Sequence, residues 1–242
     1  MFDGRLIVTI GAHPNRASEI LVGGRLDPRK VQNICAMLTF PKVRGFGKIG
    51  LDGPRSNIDE QRNLFTQILT TFALDIKTRR LPLVLHIRGD THGSRERLTQ
   101  ESQQLLFNVV GPDHPIQLHC FKGDVTMWGS FSKVYFSVVV ADYRQTPLDS
   151  PEARLLAAIP EDRILLETDS PYFECLPGQT SNPRYALKEL SLKYIDKATS
   201  NIPQEEIDSL KLIHPGLTKH ERPSLNNKMT NPHWAYSGGE DG

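Results

Sequence analysis

Short apolar runs without alternation, each followed by a polar loop and then by a segment of helical period, set the tightest limit on how this chain can fold. The runs are Leu6–Ile10, Val43–Phe46, Leu83–Leu85, Ile116–Leu118, Val134–Val140 and Ile164–Leu166. A strand with one solvated face alternates apolar and polar residues, whereas a parallel strand covered on both faces is apolar throughout. The segments between the runs gather their apolar residues on one helical face. Asp27–Thr39 carries Val31, Ile34, Cys35 and Leu38, and Ser56–Leu74 carries Leu64, Phe65, Ile68, Leu69 and Phe72. Ser56 with Asp59 supplies the S-x-x-D start signal for the second of these. Thr99–Val110, Pro151–Ile159 and Tyr185–Ile195 read as further helices. Repeated β-α units argue for an α/β fold built on a parallel sheet.

Chemistry is placed at the ends of these runs. Lys48 in GFGKIGLD, His86 in LPLVLHIRGD, His119 in IQLHCFKGD and Asp169 in RILLETDSPYF each stand at the C-terminal end of one. Their spacing suits one, one and two units of a barrel that spends roughly 30 residues per unit. An open doubly wound sheet would place its site at one switch point instead. The expected fold is therefore a (β/α)8 TIM-barrel type, apparently incomplete, since six strands are legible where closure needs eight. Neutral imidazole and carboxylate are ligand types for zinc and related divalent ions. Two histidines and an aspartate suffice for one catalytic metal with an open position, and Asp169 could also take a proton from metal-activated water. For either histidine alone, the competing reading is a buried, hydrogen-bonded side chain at a strand end. Lys48 is the odd member, a cation where a metal site wants an anion.

Bulk properties narrow the classes. The 29 basic and 28 acidic side chains nearly cancel, so composition shows no footprint for non-specific nucleic-acid binding. Cys35, Cys120 and Cys175 are odd in number and lack CxxC spacing, which indicates neither a zinc knuckle nor a disulfide framework and favours a reducing compartment. The apolar stretch Leu6–Ile10 is too short for a signal peptide or a membrane span, so the expected location is cytoplasmic or nuclear, without a membrane anchor. From about Leu212 the chain is polar, aperiodic and broken by Pro and Gly, which predicts a folded domain over 1–211 and a flexible tail over 212–242. His214, His220 and His233 in that tail have no metal-like spacing. There is no GxSxG elbow and no Walker loop, and Val22-Gly23-Gly24 reads as a turn.

Taken together, GKIGLD, then Gln61 and Phe65 on the following helix, then LPLVLHIR, LHCFKG and LLETDSPYF resemble the TatD family of metal-dependent deoxyribonucleases in order and spacing. GAHPN near the start is similar to that family's G-[IV]-HPH element, and the likeness runs from about Leu6 to about Ile195. The resemblance implies a barrel of the amidohydrolase type with two divalent metals at its C-terminal mouth, and the expectation for this chain is one or two divalent ions (zinc, manganese or magnesium). It implies hydrolysis of phosphodiester bonds, with DNA as the expected substrate. Residue by residue, it makes His86 and His119 metal ligands and Asp169 a ligand and catalytic base. It makes His13 and Arg88 phosphate-holding groups, although Arg88 reads equally well as one half of a strand-end salt bridge. Asp52 reads as a loop organiser.

Two departures qualify the expectation. The family opens with an H-x-H strand and a second strand that have no counterpart here, so the barrel is expected to lack its first two strands. The family's metal-bridging glutamate in G-E-x-G-L-D is Lys48. An ammonium about 4 Å from a divalent ion is repelled by roughly 8 kcal/mol at an effective dielectric of 20. Lys48 then has three courses. It replaces the metal's charge and leaves the site metal-free; it swings away and leaves one metal on His86, His119 and Asp169; or it forms a carbamate with carbon dioxide and becomes a ligand itself. Phosphotriesterase-like and dihydroorotase-like barrels set the precedent for the last. The leading expectation is a TatD-like metal-dependent hydrolase of phosphodiester bonds, and the alternative is an inactive family member acting as a binding or scaffold protein.

Overall fold

The computed structural model describes residues 7–55, 57–139 and 150–169, together with the short strands at 174–176 and 179–180. The expected helix Tyr185–Ile195 and the expected tail 212–242 with its three histidines lie outside the described residues. The elements in order are β1 (Val8–Ile10), α1 (Ala17–Ile20), β2 (Leu21–Val22), β3 (Arg25–Leu26), α2 (Pro28–Leu38), β4 (Val43–Asp52), α3 (Ile58–Thr71), α4 (Ala73–Thr78), β5 (Leu83–Arg88), α5 (His92–Val109), β6 (Ile116–His119), β7 (Val134–Val139), α6 (Pro151–Ala158), β8 (Ile164–Glu167), β9 (Glu174–Leu176) and β10 (Gln179–Thr180). Single 3-10 turns cover Pro14–Arg16, Val125–Trp128 and Glu161–Arg163.

Six strands form one sheet in the order β1-β4-β5-β6-β7-β8, and every neighbouring pair is parallel. Spatial order follows chain order without reversal, which is the progression of a barrel rather than of a doubly wound sheet. The apolar runs behave as their composition demands. Leu83, Val84 and Leu85 are all buried, as are Val138 and Val139, although neighbours in a strand point to opposite faces. The core is continuous from Ile34 and Leu38 of α2, through Leu64, Phe65, Ile68 and Leu69 of α3, to Leu98 and Leu106 of α5. The two remaining antiparallel pairs, β2 with β3 and β9 with β10, are small. Gly23 and Gly24 turn the first with φ of 57° and 74°, values that suit glycine, so the expected turn is a hairpin turn.

Boundaries moved where side chains give no periodic signal. β4 continues through Lys48 to Asp52, six residues past the expected Phe46, so Lys48 lies inside a strand and not at its end. Gly47 and Gly50 hide that continuation from a reading of apolar runs, and they are also why it exists. A Cβ on Gly50 would stand 2.2 Å from the His86 carbonyl oxygen, and one on Gly47 would stand 2.3 Å from that of Val84. α5 starts at His92, seven residues before Thr99, because its first turns are polar. Thr91 and Ser94 close a capping box there, each side-chain oxygen accepting from the other's backbone N–H at 3.1 Å. α3 is capped by Asn57, whose Oδ1 accepts from Asp59 N–H at 3.2 Å, while Ser56 lies outside the described residues. Phe72, with φ −100° and ψ 10°, separates α3 from α4, whereas apolar periodicity alone runs on from Ser56 to Leu74.

Candidate metal centre

Register sets the centre. In the β4–β5–β6 ladder Gly50 lies opposite His86, and His86 opposite His119. Residues paired in adjacent parallel strands share a face, so both imidazoles project to the same side, with ring centroids 5.8 Å apart. β8 then delivers Glu167 at its end, and Asp169 follows two residues later with φ at 45°.

These groups form one hydrogen-bonded cluster. Nδ1 of His119 lies 2.8 Å from Oε1 and 3.0 Å from Oε2 of Glu167, so Glu167 fixes the ring and leaves Nε2 facing the mouth. Nε2 lies 3.4 Å from Oδ1 of Asp169. The Lys48 Nζ stands between them, 2.7 Å from Nε2 and 2.6 Å from Oδ1. A cation thus already touches two of the three expected ligands. Cys120, directly after His119, has φ of 48° and places its Sγ 3.3 Å from Nε2 while donating to Oε1 of Glu167 at 2.8 Å. The ligand atoms of His119, Cys120 and Asp169 all lie within 4.8 Å of one another.

His86 is the counterpart of that crowding. Both its ring nitrogens are buried and neither makes a hydrogen bond. Its Nε2 approaches Oδ2 of Asp52 at 3.3 Å. Asp52 is fully buried, and its carboxylate is taken up by Arg88, whose Nε and Nη2 reach the two oxygens at 2.7 and 2.9 Å. For Arg88 the geometry is the salt bridge, with the side chain 44% exposed and the Nη1 edge turned to neither Asp52 oxygen. Asp52 does more than shape a loop: Gln61 of α3 receives its backbone N–H at 2.7 Å and returns a donor to its carbonyl at 3.1 Å. His13 joins the periphery, its ring centroid 4.8 Å from that of His86.

Electrostatics follow the contacts. Asp169 is held far below the usual carboxylate range by its hydrogen bond with His119, and by Lys48, against the cost of burial. His119 is pulled the other way: burial disfavours its charged form, but hydrogen bonds to Asp169 and Glu167 outweigh burial and raise its pKa. Burial would raise Glu167 too, yet its bonds with His119 and Cys120 keep it low. His13 is lowered to about 4 by burial, then by His86 and Lys48, so it is neutral near pH 7. Burial, with the Glu167 charge and hydrogen bond added, pushes the Cys120 thiol well up.

The donor set fits a divalent cation. His119 and Asp169 bring an imidazole nitrogen and a carboxylate oxygen within 3.4 Å of each other, the His86 ring stands 5.8 Å from that of His119 with both nitrogens buried, and Lys48 puts a positive charge in contact with His119 and Asp169. Of the expected site residues, Lys48, His119 and Asp169 are in direct contact, His86 and His13 are beside them, and Arg88 is joined through Asp52. Two members were not assigned from sequence. Glu167 is the second carboxylate of LLETDSPY, and Cys120 sits next to His119 in LHCFKG. Its sulfur lies beside the His119 ring, 3.3 Å from Nε2 and 3.8 Å from Nδ1, and donates to Glu167.

A family model described as TatD related DNase matches residues 1–210. Human 3'-5' RNA nuclease TATDN2 is 31% identical over 153 residues, covering 61% of this chain and 18% of that protein. The 3'-5' ssDNA/RNA exonuclease TatD of Rahnella is 29% identical over 177 residues, 72% of this chain and 60% of its own length. A metal-dependent hydrolase of Methanocaldococcus jannaschii is 20% identical over 208 residues, 85% and 71% of the two chains. Among solved structures, a TatD family hydrolase from Entamoeba histolytica superposes with a TM-score of 0.50 at 25% identity, covering 69% of this chain and 51% of that one. The match thus spans under a fifth of the human nuclease and three fifths of the Rahnella exonuclease. Among the described residues, no helix is long and apolar enough to cross a membrane.

Proposed function

This chain belongs to the TatD related DNase family, and from that premise we propose that it hydrolyses phosphodiester bonds of nucleic acid at the mouth of β4, β5, β6 and β8. His86, His119 and Asp169 would hold one divalent cation. The observation that carries this reading is the contact of His119 and Asp169 with one positive charge, beside a His86 ring whose nitrogens are buried with only the Asp52 carboxylate, 3.3 Å from Nε2, near them. When bound, the ion supplies Lewis acidity and lowers the pKa of water at the site.

The chain's own groups do the rest. Glu167 holds His119 through Nδ1 and keeps Nε2 aimed at the mouth, as an outer carboxylate does for a ligating imidazole. Asp169 stays ionised, so it is competent to accept a proton from the attacking water. Lys48 has a third of its side chain exposed, so it would have room to turn toward solvent if an ion were held, and its ammonium would then be placed to meet the scissile phosphate. The Nη1 edge of Arg88 offers a second positive contact for that phosphate. His13, neutral near pH 7, contributes a hydrogen bond and no charge. We assign single-stranded DNA as the substrate and hydrolysis from a 3' end, following the names of the bacterial relatives; the human relative makes RNA the required comparison.

A second reading rests on Lys48 alone. Its contacts at 2.6 and 2.7 Å satisfy Asp169 and His119 without any ion, which would leave a folded but inactive member that binds without cutting. Metal content decides between them. The purified chain is loaded with zinc or manganese, with and without bicarbonate, and assayed on end-labelled DNA and RNA strands. One ion per chain with shortening of the strands supports the hydrolase. Two ions only with bicarbonate point to a carbamate on Lys48. No ion, with no activity even in Lys48→Glu, leaves the binding role.

A further inference from the structure

We propose that Asp52 is the positioning residue of His86: its carboxylate takes the hydrogen of Nε2 and so leaves the Nδ1 lone pair to the cation. The inference rests on the metal-centred reading of the site and adds the group that decides which nitrogen His86 offers. Register brings the pair together. Asp52 ends β4 opposite Arg88 of β5, and His86 precedes Arg88 by two residues, so all three side chains project to one face. Asp52 is fully buried, and its Oδ2 lies 3.3 Å from Nε2 of His86. Both ring nitrogens of His86 are buried and neither has an aligned hydrogen bond. A modest turn of the ring would align the approach to Asp52.

The neighbours decide where the ring hydrogen sits. Arg88 reaches Oδ1 through Nε at 2.7 Å and Oδ2 through Nη2 at 2.9 Å, a bidentate contact that keeps the buried carboxylate ionised. An ionised carboxylate only accepts, so the imidazole nitrogen that faces it is the one carrying hydrogen. In a neutral ring the other nitrogen then holds a lone pair. That nitrogen is Nδ1, buried and without a hydrogen-bond partner among the described residues. A buried acceptor left in this way costs free energy until a donor or a cation meets it. Gln61 holds Asp52 from behind, bonded to its N–H at 2.7 Å and to its carbonyl at 3.1 Å. The arrangement is the counterpart of that at His119, where Glu167 takes Nδ1 and leaves Nε2. Each imidazole thus has its own carboxylate, which fixes the tautomer and raises the basicity of the nitrogen it leaves open. Because Arg88 shares the Asp52 carboxylate, one side chain ties the ligand His86 to a group that would meet the phosphate.

Nitrogen-15 NMR of the metal-free full chain reads the tautomer without catalysis, at about pH 8, where an ordinary histidine is neutral. His86→Gln assigns the signals. The Nε2–H form of His86 is expected, and the Nδ1–H form would overturn the proposal. Asp52→Asn reverses the pattern. Arg88 can only donate, so the new amide turns its oxygen to Arg88 and its N–H to His86, which drives the ring hydrogen onto Nδ1 and blocks that nitrogen. The variant should show the inverted tautomer and bind zinc roughly 10–100-fold more weakly. A purely structural role would lower stability, followed by circular dichroism in urea, without inverting the tautomer. If Asp52→Asn does not fold, the tautomer of the unaltered chain decides. Unchanged zinc affinity in folded Asp52→Asn would overturn the role of Asp52 and leave the metal centre standing. Absence of zinc binding in the unaltered chain would overturn the metal centre itself, which the role of Asp52 presupposes.

Discussion

Lys48 donates to Asp169 across the mouth of the sheet, its Nζ 2.6 Å from Oδ1, and so a chain built like a metal hydrolase carries its own cation at the ligand it most needs free. Metal and ammonium compete for one carboxylate and one imidazole. Removing the ammonium should therefore help the ion and hurt the metal-free fold. Lys48→Met should lower metal-free stability by about 1 kcal/mol, a modest figure because the pair is partly solvated, 32% and 16% exposed. The same variant should bind zinc at least roughly tenfold more tightly, since like-charge repulsion is gone. Thermal melts with and without zinc measure both effects at once. An equal zinc-induced rise in Tm for the two proteins would mean that Lys48 does not contest the site.

The close approach of β4 and β5 gives a harsher substitution. Gly50 has φ of 136°, and a Cβ there would lie 2.2 Å from the His86 carbonyl oxygen. Backbone must move, and the strand that moves carries His86. Gly50→Ala should cost at least about 2–3 kcal/mol in urea unfolding. It should also abolish metal binding in whatever fraction remains folded. A stable variant with normal metal binding would show that the ladder tolerates a side chain there.

Much of this architecture can be read from the chain because parallel strands covered on both faces announce themselves as unbroken apolar runs. Leu83–Leu85, Ile116–Leu118 and Ile164–Leu166 open strands in the structure, each extended by one to three residues that bring in His86 and Arg88, His119, and Glu167. What escaped was written in backbone conformation and in pairing across strands. Gly47 and Gly50 break an apolar pattern while extending the strand. The left-handed backbone at Cys120 is a conformation that no spacing rule encodes. Arg88 was balanced between a phosphate contact and a salt bridge until β4 and β5 were in register, with Asp52 opposite it. Glu167 stood in plain view beside Asp169. Its task of holding the imidazole of His119 depends on a strand nearly fifty residues earlier.

Gln61 tests how far the site depends on the helix behind it. Its side chain is fully buried, accepts from Asp52 N–H at 2.7 Å, and donates to the carbonyls of Asp52 and Arg55 at 3.1 and 3.0 Å. Gln61→Leu keeps much of the volume but strands a buried backbone N–H and two carbonyls. The expected loss is about 2–3 kcal/mol by chemical denaturation. Because Asp52 pairs with Arg88 and approaches His86, metal affinity should fall as well, although Gln61 touches no donor of the ion. A drop in stability with unchanged metal affinity would confine Gln61 to a structural part.

Stability should also fall on mild acidification, through a histidine remote from the centre. His114 is 6% exposed, and its Nε2 lies 2.8 Å from the Leu81 carbonyl oxygen. Burial depresses its pKa, with Arg80 and Lys77 adding to the effect and the bond to Leu81 opposing it. A folded-state pKa below the ordinary 6.5 means that the unfolded chain binds the proton first. The contribution of His114 is therefore whole above about pH 6.5 and declines as pH falls through the folded-state value. His13 shares the sign, its pKa lowered to about 4, so the wild-type slope contains both. His114→Gln keeps an N–H for the Leu81 carbonyl and cannot titrate. Urea unfolding of the two proteins at stepped pH between about 7 and 5 should show a shallower decline for the variant, with the slope from His13 remaining. Parallel curves would mean that His114 takes up its proton in the folded protein as readily as in the unfolded chain, and that its burial carries no penalty for charge.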